Sequence, residues 1–188
     1  MADKRYDYCI GTTNHLLRRS LTAMLDQADF YSAGESKNVP EFLRVLRRKQ
    51  PWLAIVDTEL PPGNIKQLAE IIEEDGLSAA LYINTGVKTI NGYVQLKWPV
   101  EAPILAAVAE TLCLEFAHKR KLQGRIKGLQ EKLSSRREIE RAKGILMEKM
   151  SLNEESAYRH LQKISMEKRK SMAEVAEIII SDPDSCSA

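Results

Sequence analysis

The chain is poor in the features that would assign it to several protein classes. Among 188 residues it has three cysteines, two tryptophans and three phenylalanines. No apolar run approaches the roughly 20 residues that a membrane-spanning helix needs. Cys9, Cys113 and Cys186 are odd in number and lack metal-ligand spacing, which argues against a disulfide framework and against a zinc module. A reduced, cytoplasmic setting without membrane attachment fits this usage. Met1 to Tyr8 is charged rather than apolar, so no signal peptide is expected. There is no nucleophile–base pair, Gly-rich phosphate loop or metal-ligand cluster, so the chain does not read as an enzyme, and no cofactor is expected. His118 and His160 are isolated.

What is present suffices for one medium domain or two small ones: 44% of the residues are hydrophobic and 29% charged. The net charge of +2 is unevenly spread. Residues 1–118 carry 12 basic and 15 acidic side chains, residues 119–170 carry 16 and 7, and residues 171–188 carry none and 4. An acidic front half followed by a block of net +9 suggests two modules, the second meeting a polyanion.

The front half alternates strand and helix patterns. Tyr6–Ile10 reads as a strand, His15–Gln27 as a helix with Leu17, Leu21, Met24 and Leu25 on one side, and Phe30–Ala33 as a weak strand. Asn38 can cap a helix whose first turn holds Pro40 and whose apolar side is Phe42, Leu43, Val45 and Leu46. Trp52–Val56 is a continuous apolar run, the mark of a parallel strand covered on both faces. A helix over Asn64–Glu74 and strands at Ala79–Ile83 and Tyr93–Leu96 follow. This order predicts an α/β doubly wound parallel sheet, in which chemistry sits beyond the carboxyl ends of the strands. Thr12, Thr13, Asp57, Thr85 and Lys97 fall there.

Asp57-Thr58-Glu59-Leu60-Pro61 resembles the D-x-x-[LM]-P element of response-regulator receiver domains, which have the flavodoxin-like fold. Thr85 matches the family's switch hydroxyl, and Lys97, shortly before Pro99, its lysine. The resemblance covers residues 5–117 and implies an aspartate that accepts a phosphoryl group from phosphohistidine, helped by Mg²⁺. Two departures make this a pseudo-receiver. Thr12 and Thr13 stand where receivers carry an acidic, Mg²⁺-binding pair, and neutral hydroxyls are poor ligands for a hard dication. Mg²⁺ binding is therefore doubtful. Only twelve positions separate Thr85 from Lys97, too few for loop, helix and loop, so the fourth helix is expected to have shrunk to the turn Gly86–Gly92. Asp57 is then a possible phosphoacceptor with Thr85 and Lys97 as its switch; alternatively it is a turn-forming aspartate, or Lys97 pairs with it permanently.

From Glu101 onward no breaker follows Pro103, and apolar residues recur every 3.5 positions. Leu105, Leu112, Ile126 and Leu133 occupy a positions and Val108, Leu122 and Leu129 d positions, with Glu115 and Lys119 interrupting the seam. This predicts a coiled-coil helix over 101–136 that overlaps the last receiver helix and makes a homodimer. The alternative is a helix packed back on its own domain. Gly124 and Gly128 weaken the helix by about 1 kcal/mol each relative to alanine.

The basic tail reads as three helices over 135–181. Ser135–Met150 comes first, a second is capped by Asn153 and a third by Ser171, with residues 182–188 as a disordered tail. Arg137-x-Ile139-Glu140-x-Ala142-Lys143-Gly144-Ile145-Leu146-Met147-Glu148 closely resembles the signature of the ANTAR domain of transcription antitermination regulators. Glu155-x-Ala157-Tyr158-x-x-Leu161 and Val175-Ala176-x-x-Ile179-Ile180 fit the same family; Ser165 departs from an expected alanine.

That resemblance implies binding to paired hairpins in leader mRNA and blocking of a terminator, which would engage the RNA polymerase elongation complex indirectly. Candidate RNA contacts are Arg137, Arg141, Lys143, Tyr158, Arg159, Lys163, Lys168, Arg169 and Lys170, cations for phosphates and an aromatic for a base. Arg137 and Lys143 can instead pair with Glu140. The input partner would be a sensor histidine kinase or a ligand-sensing regulatory protein. A DNA-binding response regulator and a protein-interaction adaptor without nucleic-acid binding are the rival readings.

Overall fold

A computed structural model describes residues 6–86 and 89–182. The chain divides into two compact units near residue 120.

The front unit is built on five parallel strands: β1 (Tyr6–Gly11), β2 (Phe30–Ser36), β3 (Leu53–Asp57), β4 (Ala79–Asn84) and β5 (Gln95–Lys97). They lie in the order β2-β1-β3-β4-β5, all parallel. Between them run α1 (His15–Asp26), α2 (Val39–Lys49) and α3 (Ile65–Glu74). Asparagine starts each helix. The Oδ1 of Asn14 accepts from the N–H groups of Leu16 and Leu17, that of Asn38 from Glu41 and that of Asn64 from Lys66. Each bond satisfies one of the amides that a helix start leaves without an intrahelical acceptor.

β3 is central, and Leu53, Ala54, Ile55 and Val56 are fully buried, as the unbroken apolar run requires. One face of the sheet packs Leu17, Leu21 and Leu25 of α1 together with Leu105, Ala109 and Cys113. The other packs Phe42 and Leu46 of α2 and Leu68, Ala69 and Ile72 of α3. Cys9 and Cys113 serve as small apolar residues here. Burial pushes their thiols up to about 11 and about 12, which leaves them unreactive at neutral pH.

Among the described residues no helix separates β4 from β5, as the short spacing predicts. The loop covers the sheet by itself. Ile90 is buried among residues of α3 and β4, and the Gln95 side chain holds it in place. Gln95 Oε1 accepts from the Ile90 N–H (3.3 Å), and its Nε2 donates to the Ile90 carbonyl (3.1 Å). Part of the expected turn Gly86–Gly92 lies outside the described residues.

α4 (Ala102–Met150) is one helix of 49 residues. Two expectations change here. No break occurs before Ser135, so the first helix of the tail is the last third of α4 rather than a separate element. The seven leucine-lined positions also do not form one seam. Leu105 is fully buried against the sheet, and Val108 and Leu112 pack beside it. Those three serve the domain's own core. Leu122, Ile126, Leu129 and Leu133 are 55–61% exposed.

The tail unit joins the end of α4 to α5 (Glu154–Lys168) and α6 (Met172–Ser181). Its core is Ala142, Leu146, Ala157, Leu161, Val175, Ala176 and Ile179. Three of the seven are alanine, which lets the helices approach closely. Asn153 caps α5, and Ser171 with Glu174 forms a capping box on α6. Ser181 ends α6; the tail expected over 182–188 lies outside the described residues apart from Asp182.

Both tryptophans, Trp52 and Trp98, lie in the front unit, so their fluorescence reports on it alone. In urea, Leu105→Ala should cost about 2–5 kcal/mol by this signal, as truncations of buried leucine do. Leu129→Ala, which lies in the other unit, should leave this signal within about 0.5 kcal/mol.

Candidate phosphoacceptor pocket and nucleic-acid interface

The strand order reverses direction between β1 and β3, and Thr12 and Asp57 sit at their carboxyl ends, where such sheets open a crevice. Gly11 makes room for this junction. A Cβ there would lie 2.9 Å from Leu60 Cδ2 and 3.1 Å from Phe42 Cδ2. Asp57 is 4% exposed and so is Thr12. The Thr12 hydroxyl donates to Asp57 Oδ2 at 2.7 Å. The Thr85 hydroxyl donates to Oδ1, also at 2.7 Å. The Glu59 N–H donates to the same Oδ1 at 3.0 Å. Thr12 Oγ1 in turn accepts from the Asn14 N–H at 3.0 Å. The carboxylate is thus held from β1, β3 and β4 together.

The other two sequence candidates stay outside this network. Thr13 is exposed at the start of the α1 loop. Lys97 is exposed at the end of the edge strand, and among the described residues no ion pair links it to Asp57. A permanent Lys97–Asp57 pair is therefore not what fixes the aspartate; two hydroxyls fill that role. Thr12 was legible only as a missing carboxylate, since nothing in sequence shows a hydroxyl turned toward a residue 45 positions away.

In the tail unit the candidate cations separate into classes. Lys143 is 7% exposed, and its ammonium lies 2.9 Å from Glu140 and 2.8 Å from Glu154. As a direct RNA contact it is corrected by this geometry: it latches α4 to the first turn of α5. Arg159 pairs with Glu155 at 2.6 Å and Lys163 with Glu167 at 3.8 Å, both pairs fully solvated and worth little. Arg137 and Arg141 are exposed and line a shallow groove with Glu177 and Ile180 of α6. Lys168, Arg169 and Lys170 form an exposed turn. Arg169 there takes a left-handed conformation (φ 52°). Ser165 ties that turn down, its hydroxyl donating to the Lys170 carbonyl at 2.6 Å. The alanine expected at 165 could not do this.

Tyr158 is 45% exposed and lines a different groove, with Lys132, Arg136 and Ile139 of α4. Lys132 and Arg136 were missed as candidates. Their i, i+4 spacing was the available signal, but only the path of α5 sets Tyr158 beside them.

A parallel sheet in this order, with an aspartate and a threonine meeting at its carboxyl edge, is the fold of receiver domains. Solved receiver domains agree in fold. The signal receiver domain of the response regulator NarL from Mycobacterium tuberculosis superposes with a TM-score of 0.53 at 13% identity, over 58% of this chain and 96% of that one. That of the LuxO repressor protein from Vibrio parahaemolyticus gives 0.55 at 12%, over 63% and 97%. Residues 127–180, less than a third of the chain, match the model of the ANTAR domain. The chain is 25% identical over 180 residues to the transcriptional regulatory protein PdtaR of Mycobacterium tuberculosis, 91% of this chain and 87% of that protein. It is also 28% identical over 119 residues to the nitrate regulatory protein of Klebsiella oxytoca, 62% of this chain and 30% of that one.

The Lys143 latch gives the tail a pH dependence. Glu154 is held below the ordinary carboxylate range by the Lys143 hydrogen bond, and Lys143 is raised above the ordinary lysine range by its bonds to Glu154 and Glu140. The stabilisation is complete between those ranges. It is lost on the acid side as pH falls through the folded Glu154 value, and on the alkaline side as pH rises through the folded Lys143 value. Circular dichroism of Glu154→Gln at neutral pH should show a lower tail-unit melting temperature and a flatter acid-side profile. An unchanged melting curve would remove the latch.

Proposed function

We propose that the chain is a signal-responsive antiterminator, which binds hairpins in a nascent leader RNA as a dimer and blocks termination. The observation that carries this is the set of exposed cations on the three-helix unit that matches the ANTAR domain: Arg137, Arg141, Lys168, Arg169 and Lys170, with Tyr158 on a neighbouring groove. Cations on phosphates supply salt-dependent affinity, and an exposed aromatic offers a stacking face for an unpaired loop base. The structure of folded RNA suits this better than duplex DNA, because its loop bases are accessible.

Leu122, Ile126, Leu129 and Leu133 favour the dimer. They repeat with a 4-3-4 spacing on one side of α4, and each is more than half exposed in the single chain. Such a stripe covers itself best against a second copy. Two copies would hold two hairpins at once, and avidity would multiply the affinity of each. The signal reaches the receiver-like domain either as a phosphoryl group from a sensor histidine kinase or through a ligand-sensing regulatory protein. The two hydroxyls already engaged on Asp57 favour the second.

Gel shifts with a two-hairpin RNA test the reading. Arg137→Ala and Lys168→Ala should each weaken binding and lower the salt slope, by about 0.7–0.9 per lost phosphate contact. Tyr158→Ala should lower discrimination between loop-base variants instead. Leu129→Asp should abolish dimers in sedimentation and reduce two-hairpin affinity toward the one-hairpin value. Equal competition by duplex DNA would favour a DNA-binding regulator, and binding insensitive to both salt and loop sequence would favour a protein adaptor.

A further inference from the structure

A receiver-like pocket implies Mg²⁺, and the residues present here do not fit it. A hard dication gathers about six oxygen ligands and draws most of its affinity from carboxylates. Asp57 is its buried carboxylate, Glu59 reaches the rim beside Gly86, and among the described residues no group of three acidic, histidine or cysteine side chains could hold a metal. Thr12 occupies one expected ligand position, and its neutral hydroxyl is already engaged twice, donating to Asp57 Oδ2 and accepting from the Asn14 N–H. Thr13, at the other position, is exposed.

The same geometry bears on phosphoryl transfer. An attacking carboxylate oxygen needs a free lone pair and room in line with the donor. Oδ1 carries two donors, and Oδ2 accepts one hydroxyl and keeps one lone pair, but Asp57 and Thr12 are each only 4% exposed, which leaves little room for an in-line donor. A phosphoryl group would also bring about 1.5–2 negative charges. Among the described residues no cation is paired with Asp57 to answer them, Lys97 included.

We propose that Asp57 is a buckle and not a phosphoacceptor. Thr12 takes the place of the metal, Thr85 is already drawn onto the carboxylate, and the three bonds fasten the carboxyl ends of β1, β3 and β4. The domain therefore stands in one switch position without covalent change, and its signal comes through contact with another protein. This concerns the front unit only, so it stands or falls independently of RNA binding.

The test uses the full-length chain. Incubation with acetyl phosphate and Mg²⁺, followed by intact-mass measurement, should leave the mass unchanged. A base-labile phosphoryl adduct that disappears in Asp57→Asn overturns the proposal. Calorimetric titration with Mn²⁺ should show no saturable site in the wild type, whereas Thr12→Asp, which supplies a carboxylate and removes the donor, should show a saturable one. A Thr12→Asp variant that binds Mn²⁺ no better than the wild type overturns the role given to the hydroxyl. Thr12→Val keeps the shape and deletes the bond, and it should lower the melting temperature of the front unit by several degrees. An unchanged melting temperature means that no buckle exists.

Discussion

A buried carboxylate must be met by donors or it costs several kcal/mol. At Asp57 that requirement organises the carboxyl edge of the sheet. Its side-chain donors are the hydroxyls of Thr12 and Thr85, which follow the two strands that flank β3. Hydrogen bonds to a charged acceptor are each worth roughly 1.5–3 kcal/mol. Two side-chain donors and a backbone N–H thus form a built site rather than an eroded one. The loss of the acidic pair is matched by a gain of donor geometry. A merely decayed receiver would have left the carboxylate unpaired or solvated.

The shortened β4–β5 connection obeys the same demand for satisfaction. Removing a helix exposes an apolar face and frees backbone groups. Ile90 fills the face, and the Gln95 amide bonds both the N–H and the carbonyl of that residue. The loss of the helix was readable from the twelve positions between Thr85 and Lys97, because chain length limits what can fit. The repair was not, because glutamine in a short edge strand carries no pattern of its own.

What sequence could and could not show follows from the range of each interaction. The parallel sheet was legible because Leu53–Val56 of β3 is an unbroken apolar run and the helices between the strands each carry a one-sided apolar stripe. The leucine register of α4 was legible as a period but not as a partner. A heptad repeat states which residues share a face, and says nothing of whether that face meets a sheet or another helix. Leu105 and Leu129 look alike in sequence, yet one is fully buried and the other 61% exposed. Lys143 misled for a related reason. In a block of net +9 it reads as one more phosphate contact, and only the approach of Glu154, 11 residues on, shows that its charge is committed.

The distinction among the cations decides how the tail can meet a polyanion. Lys143 is shielded and bonded to two carboxylates that are themselves more than half exposed, so redirecting it would break two ion pairs and draw its ammonium out of a 7%-exposed position. Arg159 and Lys163 are also paired, but each pair lies at more than half exposure and contributes at most about 1 kcal/mol. A phosphate can outbid a solvated glutamate for such a side chain at little cost. The cations open to a polyanion are therefore those left unpaired together with Arg159 and Lys163, without Lys143. The same reasoning explains why Ser165 matters more than its size suggests. Its bond to the Lys170 carbonyl holds three consecutive basic residues in one turn, and ordering them before binding removes part of the entropy that a flexible basic loop would lose on a phosphate backbone.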